Sequence, residues 1–245
     1  SQIAEIDRIV SQCHRHPLEP VPGEQLRRRV LTLLGAQGRM VRGAPRGDWT
    51  SRAHTWEPAE RWWADGIEEL DADMSRRLLA TRWLHVFGPA TVQDLQWWTG
   101  WSLTVTRTAL TAVDTVDVDL DGTPGLALAD DVDPIEPPEP CAALLPGLDP
   151  TPMGWKHRDW YLAEQHRPAL FDNNGNIGPT VWWDGRIVGA WAVRADGSIR
   201  TRLLEDVGSD AEKAVDDAAH ALRPRLEDTA VVPSFRTPLE RELTR

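Results

Sequence analysis

Apolar residues near the start of the chain recur at helical spacing and then give way to short alternating segments. One periodic stretch covers residues 3–10, and a second covers residues 24–36 (EQLRRRVLTLLGA), where apolar residues form one stripe and three arginines surround it. Gly35 and Gly38 are expected to end this helix, and RMVRG and TSRAHTW follow as short strands around a Pro/Gly-containing turn. A helix followed by a hairpin is the second half of a winged helix. We therefore predict a partial winged helix over residues 1–66.

The same pattern repeats in a longer form in the next part of the chain. Residues 74–87 are periodic and stop at Gly88, while Thr91 and Ser102 are suitable N-caps for VQDLQWW and LTVTRTALTAV. VDVDL and GLALAD follow as two strands joined by an Asp-Gly turn at 121–122. Three helices and a two-stranded hairpin predict a complete winged helix over residues 67–130. The acidic, Pro-rich DVDPIEPPEP behind it is typical of a linker.

Short β-branched or aromatic segments predominate after the linker. CAALLPG, TVWWDG, RIVGAWAVR and SIRTRLLED are predicted strands, with Asp-Gly turns at 184–185 and 196–197. One helix is predicted over residues 211–226, a last strand in AVVPSF, and a terminal helix opened by Thr237-Pro238. Residues 141–245 are therefore predicted to form an antiparallel, β-barrel-like α+β domain. The whole chain is predicted to be α+β, with tandem winged helices followed by this domain.

The polar segment FDNNGN before the TVWW strand resembles a calcium loop in composition but not in spacing. Asp172, Asn174 and Asn176 occupy positions 1, 3 and 5 of such a loop. Position 6 is Ile177 where glycine is needed, and position 12 is Trp183 where a bidentate glutamate is needed. Asn and Gly tolerate positive φ, so the segment is better interpreted as a turn that leads into the following hairpin.

Trp is abundant, and strand alternation predicts where some of the 13 tryptophans point. In the TVWW strand, Val181 and Trp183 fall on one face and Trp182 on the other, so at least one of these Trp side chains is expected to face a channel. The tryptophans at 83, 182 and 191 are interpreted mainly as core residues.

The net charge of −11 argues by itself against a polyanionic partner, because Lys and Arg supply most of the nonspecific affinity for nucleic acid. The charge is, however, distributed unevenly along the chain. Up to Arg61 there are 10 Arg against 7 acids, whereas the remainder carries 17 Lys and Arg against 31 acids. Between Arg107 and Lys156 there is no basic residue. The N-terminal end is therefore suited to a phosphate backbone, and the middle of the chain is not.

Several other classes of protein are not indicated. No long apolar run predicts a membrane helix, and the first residues lack the features of a secretion signal, so a cytoplasmic location is expected. Cys13 and Cys141 form no C-x-x-C pair. Cys13, His14 and His16 resemble zinc ligands, but the sequence lacks the second pair of ligands that a zinc site needs. Deaminase, P-loop, dinucleotide-binding and Gly-x-Ser-x-Gly motifs are absent. No metal or cofactor is expected.

Several sequence blocks occur together and in order: RMVRGAPRGDW, FGPAT with DLQWWTGW, ALLPGLDPTPMGWKHRDWYL, and FRTPLERE. In these blocks the chain resembles the bacterial winged-helix DNA-binding family that includes the azinomycin-resistance DNA glycosylases, which act on alkylated or crosslinked purines. The resemblance covers almost the whole chain. It implies tandem winged helices followed by a β-barrel-like domain around a DNA channel, with this sequence beginning inside the second winged helix.

The resemblance does not supply a catalytic residue. Glycosylases of the family carry a Gln-x-Gln or Gln-x-Asp motif in the first winged helix, and neither motif occurs in this sequence. The catalytic residues therefore remain unknown. Two interpretations stay open: a DNA repair glycosylase whose catalytic segment lies upstream, or a noncatalytic DNA-binding or regulatory module. The acidic charge leaves a third, an interaction protein without a nucleic-acid partner.

Double-stranded DNA, in damaged form, is the partner that the resemblance implies. Arginines on the predicted helix and hairpin match the phosphate contacts of a recognition helix and wing. The candidate DNA-binding residues are Arg27, Arg28, Arg39, Arg42, Arg46 and Arg52, together with Lys156, His157 and Arg158 of the MGWKHRDWY segment, where basic and aromatic residues alternate. Arg107 is a weaker candidate beside an acidic hairpin. Asp149 is interpreted as a turn residue, and Asn173 or Asn174 as a less favoured DNA contact.

Overall fold

The computed structural model describes residues 23–47, 50–51, 53–226 and 231–245, which belong to two compact units, residues 1–70 and 71–245. The predicted helix over residues 3–10, the potential metal donors Cys13, His14 and His16, and the candidate Arg52 lie outside the described residues. The boundaries proposed at residues 66, 130 and 141 stay a prediction.

The first unit contains a helix followed by an antiparallel hairpin. Helix α1 (Gly23–Ala36) is followed by strands β1 (Met40–Pro45) and β2 (His54–Pro58) and by a 3-10 turn, Ala59–Arg61. The chain leaves the helix through Gly38, whose φ of +68° suits glycine, and the N–H of Arg39 donates to the carbonyl of Leu34 at 2.9 Å. The predicted helix and hairpin are both confirmed.

The second unit begins with three helices and a hairpin. Helices α2 (Ala72–Phe87), α3 (Val92–Thr99) and α4 (Leu103–Thr111) precede the paired strands β3 (Thr115–Leu120) and β4 (Thr123–Leu128). The predicted caps are confirmed: the Thr91 hydroxyl accepts from the N–H of Asp94 at 3.1 Å, and the Ser102 hydroxyl from the N–H of Val105 at 3.3 Å. These elements surround a core that includes Trp83, Leu84 and Phe87 of α2.

The remaining chain builds a four-stranded antiparallel sheet and three helices. The elements are β5 (Ala142–Leu145), α5 (Arg167–Leu170), β6 (Thr180–Trp183), β7 (Arg186–Val193), β8 (Ile199–Leu203), α6 (Ser209–Leu222) and α7 (Pro238–Leu243), with 3-10 turns Thr151–Met153, Glu164–His166 and Arg223–Leu226. The strand order in the sheet is β5-β6-β7-β8. Helix α6 contacts β5, β6 and β8, whereas α7 contacts β7 and β8. Valines of β6 and β7 pack with Val215 of α6, and Leu239 and Leu243 of α7 pack in a separate cluster with Trp182.

Three expectations for this region are corrected. The described sheet is open, with β5 and β8 as unpaired edges, so it is not a closed barrel. Residues 231–236 form no strand, because Pro233 has no N–H to donate to a ladder. The predicted helix over 211–226 ends at Leu222 and continues as a 3-10 turn, since Pro224 cannot propagate an α-helix. The mixed α and β composition is confirmed.

Alternation along β6 is confirmed, but its consequence differs from the expectation. Val181 and Trp183 lie in the cluster with α6, and Trp182 lies on the opposite face. Trp182 is buried and stacks on Tyr161, with ring centroids 5.5 Å apart and planes at 17°. Trp182 is therefore a core residue, and the expectation that one of the two Trp side chains faces a channel stays a prediction for the partly buried Trp183. Trp83 and Trp191 are buried as predicted.

Candidate nucleic-acid interface and the Asp94–His157 groove

Helix α1 separates apolar from basic side chains. Val30 and Leu34 are buried one helical turn apart, while Arg27, Arg28 and Arg29 are exposed. Successive residues of an α-helix are rotated by about 100° from one another, so the three guanidinium groups point in different directions on the solvent-exposed side of α1. A charged surface of this kind suits a polyanion better than a single ligand.

The hairpin that follows α1 carries further exposed arginines. Arg42 lies on β1 opposite Trp56 of β2, and Arg46 directly follows the strand, where its N–H donates to the carbonyl of Ala53. Arg39, also exposed, lies between the helix and the hairpin. Among the residues that the structure describes, Arg42 and Arg46 form no ion pair with an acid. The first unit therefore brings together five of the six candidates predicted there, Arg27, Arg28, Arg39, Arg42 and Arg46.

The second predicted cluster does not act as one basic patch. Lys156 and His157 are exposed, but Arg158 is buried, and its Nε donates to the carbonyl of Trp155 at 2.8 Å. The Arg158 guanidinium stacks over Trp97 at 4.7 Å from the ring centroid. Burial lowers the pKa of this guanidinium from its ordinary value. Arg158 is therefore a packing residue, and the expectation that it contacts DNA is not supported by its position.

A buried carboxylate, that of Asp94, organises the segment that contains Lys156 and His157. Its Oδ2 accepts from the N–H and the hydroxyl of Thr91, at 3.0 and 2.6 Å, which completes a capping box at the start of α3. Its Oδ1 accepts from the N–H groups of Lys156 and His157, each at 2.9 Å, and from Nδ1 of His157 at 3.1 Å. The two oxygens therefore join a helix N-terminus to a distant loop.

These hydrogen bonds also fix the charge of Asp94. Burial on its own would raise the pKa of the carboxyl, but the hydroxyl of Thr91 and the backbone N–H groups of His157 and Thr91 outweigh it, so that the pKa lies below its usual range. An ionised carboxylate only accepts hydrogen bonds, so the proton between the two side chains resides on Nδ1 of His157.

His157 lines a groove with a volume of about 650 Å³. The groove is lined by residues 88–91 before α3, by Asp94, by the β3–β4 turn, and by Trp155, Asp159 and Trp160. Trp160 is 60% exposed, and its ring packs edge-on against that of Trp155, with centroids 5.1 Å apart. The groove combines an exposed aromatic ring, several carboxylates and one oriented imidazole. Sequence reasoning missed it, because its walls lie far apart in the chain.

Two other polar residues act locally, as predicted from the sequence. Oδ1 of Asp149 accepts from the N–H of Thr151 at 2.9 Å, which confirms the turn. Oδ1 of Asp172 accepts from the N–H groups of Asn174 and Asn176, each at 2.8 Å, and Gly175 has a φ of +82°. These bonds, first among them the one from the Asn176 side chain, lower the pKa of Asp172. FDNNGN is thus a closed turn, and a contact of Asn173 or Asn174 with DNA stays a prediction.

No helix within the described parts of the chain is long and apolar enough to cross a membrane.

Comparison with known proteins identifies one family to which the chain is similar. The profile of the family described as DNA glycosylase AlkZ-like matches residues 15–224. An interstrand DNA cross-link repair glycosylase of Streptomyces sahachiroi is 27% identical over 207 residues, which cover 79% of this chain and 54% of that protein. The solved structure of the Streptomyces sahachiroi DNA glycosylase AlkZ is similar in fold, with a TM-score of 0.64, 22% identity, and coverage of 82% of this chain and 61% of that one. This chain thus spans a little over half the length of these relatives. Because the family profile covers most of the sequence, the chain belongs to the AlkZ-like DNA glycosylase family.

Proposed function

We propose that the chain binds double-stranded DNA through the basic helix–hairpin formed by α1, β1 and β2, and that it acts in the excision of damaged bases. This proposal rests on which side chains of the first unit are buried and which are exposed. Val30 and Leu34 are buried, whereas the arginines of α1 and β1 are exposed. A helix and a following hairpin with exposed arginines match the way in which winged helices contact phosphates. The name of the Streptomyces relative, a cross-link repair glycosylase, supports damaged duplex DNA as the substrate.

In this proposal the first unit is part of one winged helix, and α2 to β4 form a second winged helix that serves as a scaffold. The β3–β4 hairpin carries Asp117, Asp119 and Asp121, and these carboxylates would repel a phosphate backbone. The basic helix–hairpin therefore supplies most of the affinity for the duplex. DNA repair in the cytoplasm of a bacterium fits this function.

A titration of a labelled duplex oligonucleotide at several salt concentrations tests the DNA-binding step. We expect the affinity to fall as salt rises, and the double variant Arg42→Ala/Arg46→Ala to reduce the slope of log affinity against log salt by about 2, since each lost phosphate contact removes about one unit. The matched control is Arg186→Ala/Arg200→Ala, two exposed strand arginines of the second unit that should leave the slope unchanged. The proposal is overturned if the wild-type chain binds no more tightly than a neutral protein of similar size, or if the double variant keeps the wild-type slope.

We propose as the second candidate a noncatalytic DNA-binding or regulatory function, for which the basic helix–hairpin of the first unit is sufficient. Release of the damaged base from a duplex with a single 7-methylguanine separates the two candidates. Binding with release supports excision, whereas binding without release supports the regulatory function.

A further inference from the structure

Arg158 is a buried cation that its protein contacts satisfy only in part. The residue is 7% exposed, and its Nε donates to the carbonyl of Trp155 at 2.8 Å. Nη2 is buried as well, but it has no hydrogen-bond partner among the residues that the structure describes. A buried charge is costly unless it is both paired and hydrogen-bonded. The guanidinium group of Arg158 therefore calls for an acceptor at Nη2.

A second guanidinium group, that of Arg167, lies beside the same aromatic ring as the first. The Cζ atoms of Arg158 and Arg167 are 5.6 and 6.0 Å from the ring centroid of Phe171. Within the described ranges of the chain, neither arginine forms an ion pair with a carboxylate. Burial and the like charge of Arg167 lower the pKa of Arg158, and interactions with Tyr161 and Asp94 oppose this shift without cancelling it. The two like charges are therefore left to repel each other.

Two neighbouring guanidinium groups suit an oxyanion, and their combined charge selects the kind of oxyanion. The planar fork of arginine matches the oxygens of carboxylates and phosphates. The rings of Trp97 and Phe171 lie over the Arg158 guanidinium, so an anion has to approach its edge, where Nη2 lies. A phosphate with a single ester bond carries about two negative charges near pH 7, whereas each phosphodiester of a duplex carries one. Two cations therefore favour a phosphate of the first kind.

We propose that Arg158 and Arg167 bind a doubly charged phosphate group, either free phosphate or the terminal phosphate of a DNA strand. Arg158 supplies Nη2, which a small shift of its side chain opens to the anion. The Arg167 side chain is half-buried and makes no hydrogen bond to the described residues, so it is able to turn toward the same anion. Trp97 is 41% exposed and offers a ring on which the base of a terminal nucleotide could stack. The inference does not rest on the proposed function, because both arginines lie outside the basic helix–hairpin.

Isothermal titration calorimetry of the whole chain with sodium phosphate tests the site, near pH 7 and at constant ionic strength set with chloride. Arg167→Gln is the informative variant, because it removes one positive charge without breaking an ion pair. We expect the wild type to bind phosphate saturably, and Arg167→Gln to bind it at least about tenfold more weakly through the loss of a charge-assisted hydrogen bond. Arg186→Gln is the matched control, an exposed arginine of β7 that should keep the wild-type affinity.

Two further measurements separate the site from an effect on the fold. Thermal unfolding should shift to higher temperature as phosphate saturates the wild type, and the same titration should leave Arg167→Gln unchanged. Arg167→Lys keeps the charge but loses the planar fork, so its affinity should lie between those of the wild type and Arg167→Gln. Arg158→Gln is not used, because it also removes the packing of the guanidinium group on Trp97.

Saturable binding that weakens in Arg167→Gln and persists in Arg186→Gln supports the inference. A wild-type chain that binds no phosphate overturns it, and so does an equal affinity of the wild type and Arg167→Gln. Competition with short single-stranded oligonucleotides identifies the source of the phosphate. Displacement by a 5′-phosphorylated strand but not by a 5′-hydroxyl strand assigns the site to a terminal phosphate, and displacement by neither assigns it to free phosphate. Equal displacement by both strands would show that a phosphodiester suffices, which overturns the requirement for a doubly charged group.

Discussion

Oδ1 of Asp94 accepts a hydrogen bond from the backbone N–H of His157, 63 residues further along the chain, at 2.9 Å. The other oxygen of the same carboxylate caps α3 through Thr91. One side chain therefore couples the start of α3 to the position of the loop between β5 and α5, which belongs to the sheet part of the second unit. Trp155, one residue before Lys156, reinforces this link, because its indole Nε1 donates to the carbonyl of Phe87 at 2.9 Å.

Removing the Asp94 carboxylate should destabilise the protein more than removing an ordinary helix cap. We expect Asp94→Ala to lower the free energy of unfolding by about 3 kcal/mol, since it loses a cap and leaves two part-buried N–H groups of the 156–157 loop without an acceptor. Asp71→Ala is the control, because Asp71 caps α2 through the N–H groups of Asp73 and Met74 but is exposed. It should cost about 1 kcal/mol. Urea denaturation measures both, and equal losses would contradict the proposed coupling.

Arg158 should behave as a core residue in spite of its charge. We expect Arg158→Lys to cost about 2 kcal/mol, because an ammonium group cannot stack flat on Trp97 or keep the Nε bond to the Trp155 carbonyl. Duplex affinity at fixed salt should stay within twofold of the wild type for the folded variant. Lys156→Ala, a change at an exposed neighbour, should alter stability by less than about 0.5 kcal/mol. Urea denaturation and a duplex titration of both variants check these values. A variant Arg158→Lys with wild-type stability and reduced DNA affinity would restore the original expectation of a DNA contact.

Tyr161 is the one tyrosine of the sequence, so its ionisation can be followed without overlap from another phenol. Burial raises its pKa well above the ordinary value of 10, and its hydroxyl donates to the carbonyl of Pro152 at 3.1 Å. We expect no tyrosinate absorbance from the native protein at about pH 11, whereas the urea-unfolded chain should ionise near pH 10. Because the unfolded state loses its proton first, stability should fall as the pH rises above 10. A native protein that forms tyrosinate near pH 10 while still folded would show that Tyr161 is accessible to water.

Local physics explains which features could be predicted from the sequence. Helix caps and tight turns depend on neighbouring residues. The structure confirms the predicted caps Thr91 and Ser102 and the predicted turns Asp121-Gly122 and Asp184-Gly185. All four turn residues have positive φ. Alternation likewise assigned Val181, Trp182 and Trp183 to the correct faces of the sheet.

Long-range pairing explains what the sequence did not reveal. The sequence shows Asp94 in the Thr-x-x-Asp pattern of a capping box. Nothing in that local pattern indicates that its other oxygen accepts hydrogen bonds from a distant loop. Arg158 looked like a member of a basic cluster because burial depends on Trp97 and Phe171, which are distant in sequence. The open sheet was mistaken for a barrel because residues 231–236 have strand-like composition but run without strand pairing.

The ion pair of Arg236 and Glu240 should stabilise the C-terminal helix only while both partners are present. Nε and Nη2 of Arg236 donate to the two carboxylate oxygens at 2.7 and 2.8 Å, and Glu240 is fully buried. Arg236→Met should therefore cost about 3–5 kcal/mol, because it leaves a buried carboxylate without its partner. The double variant Arg236→Met/Glu240→Leu should recover most of this loss, since no charge is then buried.

Arg202 and Glu242 form an exposed pair at 2.8 Å, and Arg202→Met is the control for the Arg236 variants, expected to cost less than about 1 kcal/mol. Urea denaturation of the wild type and the three variants distinguishes these outcomes. If the double variant is as unstable as Arg236→Met, the loss comes from packing of the Arg236 side chain and not from the unpaired charge.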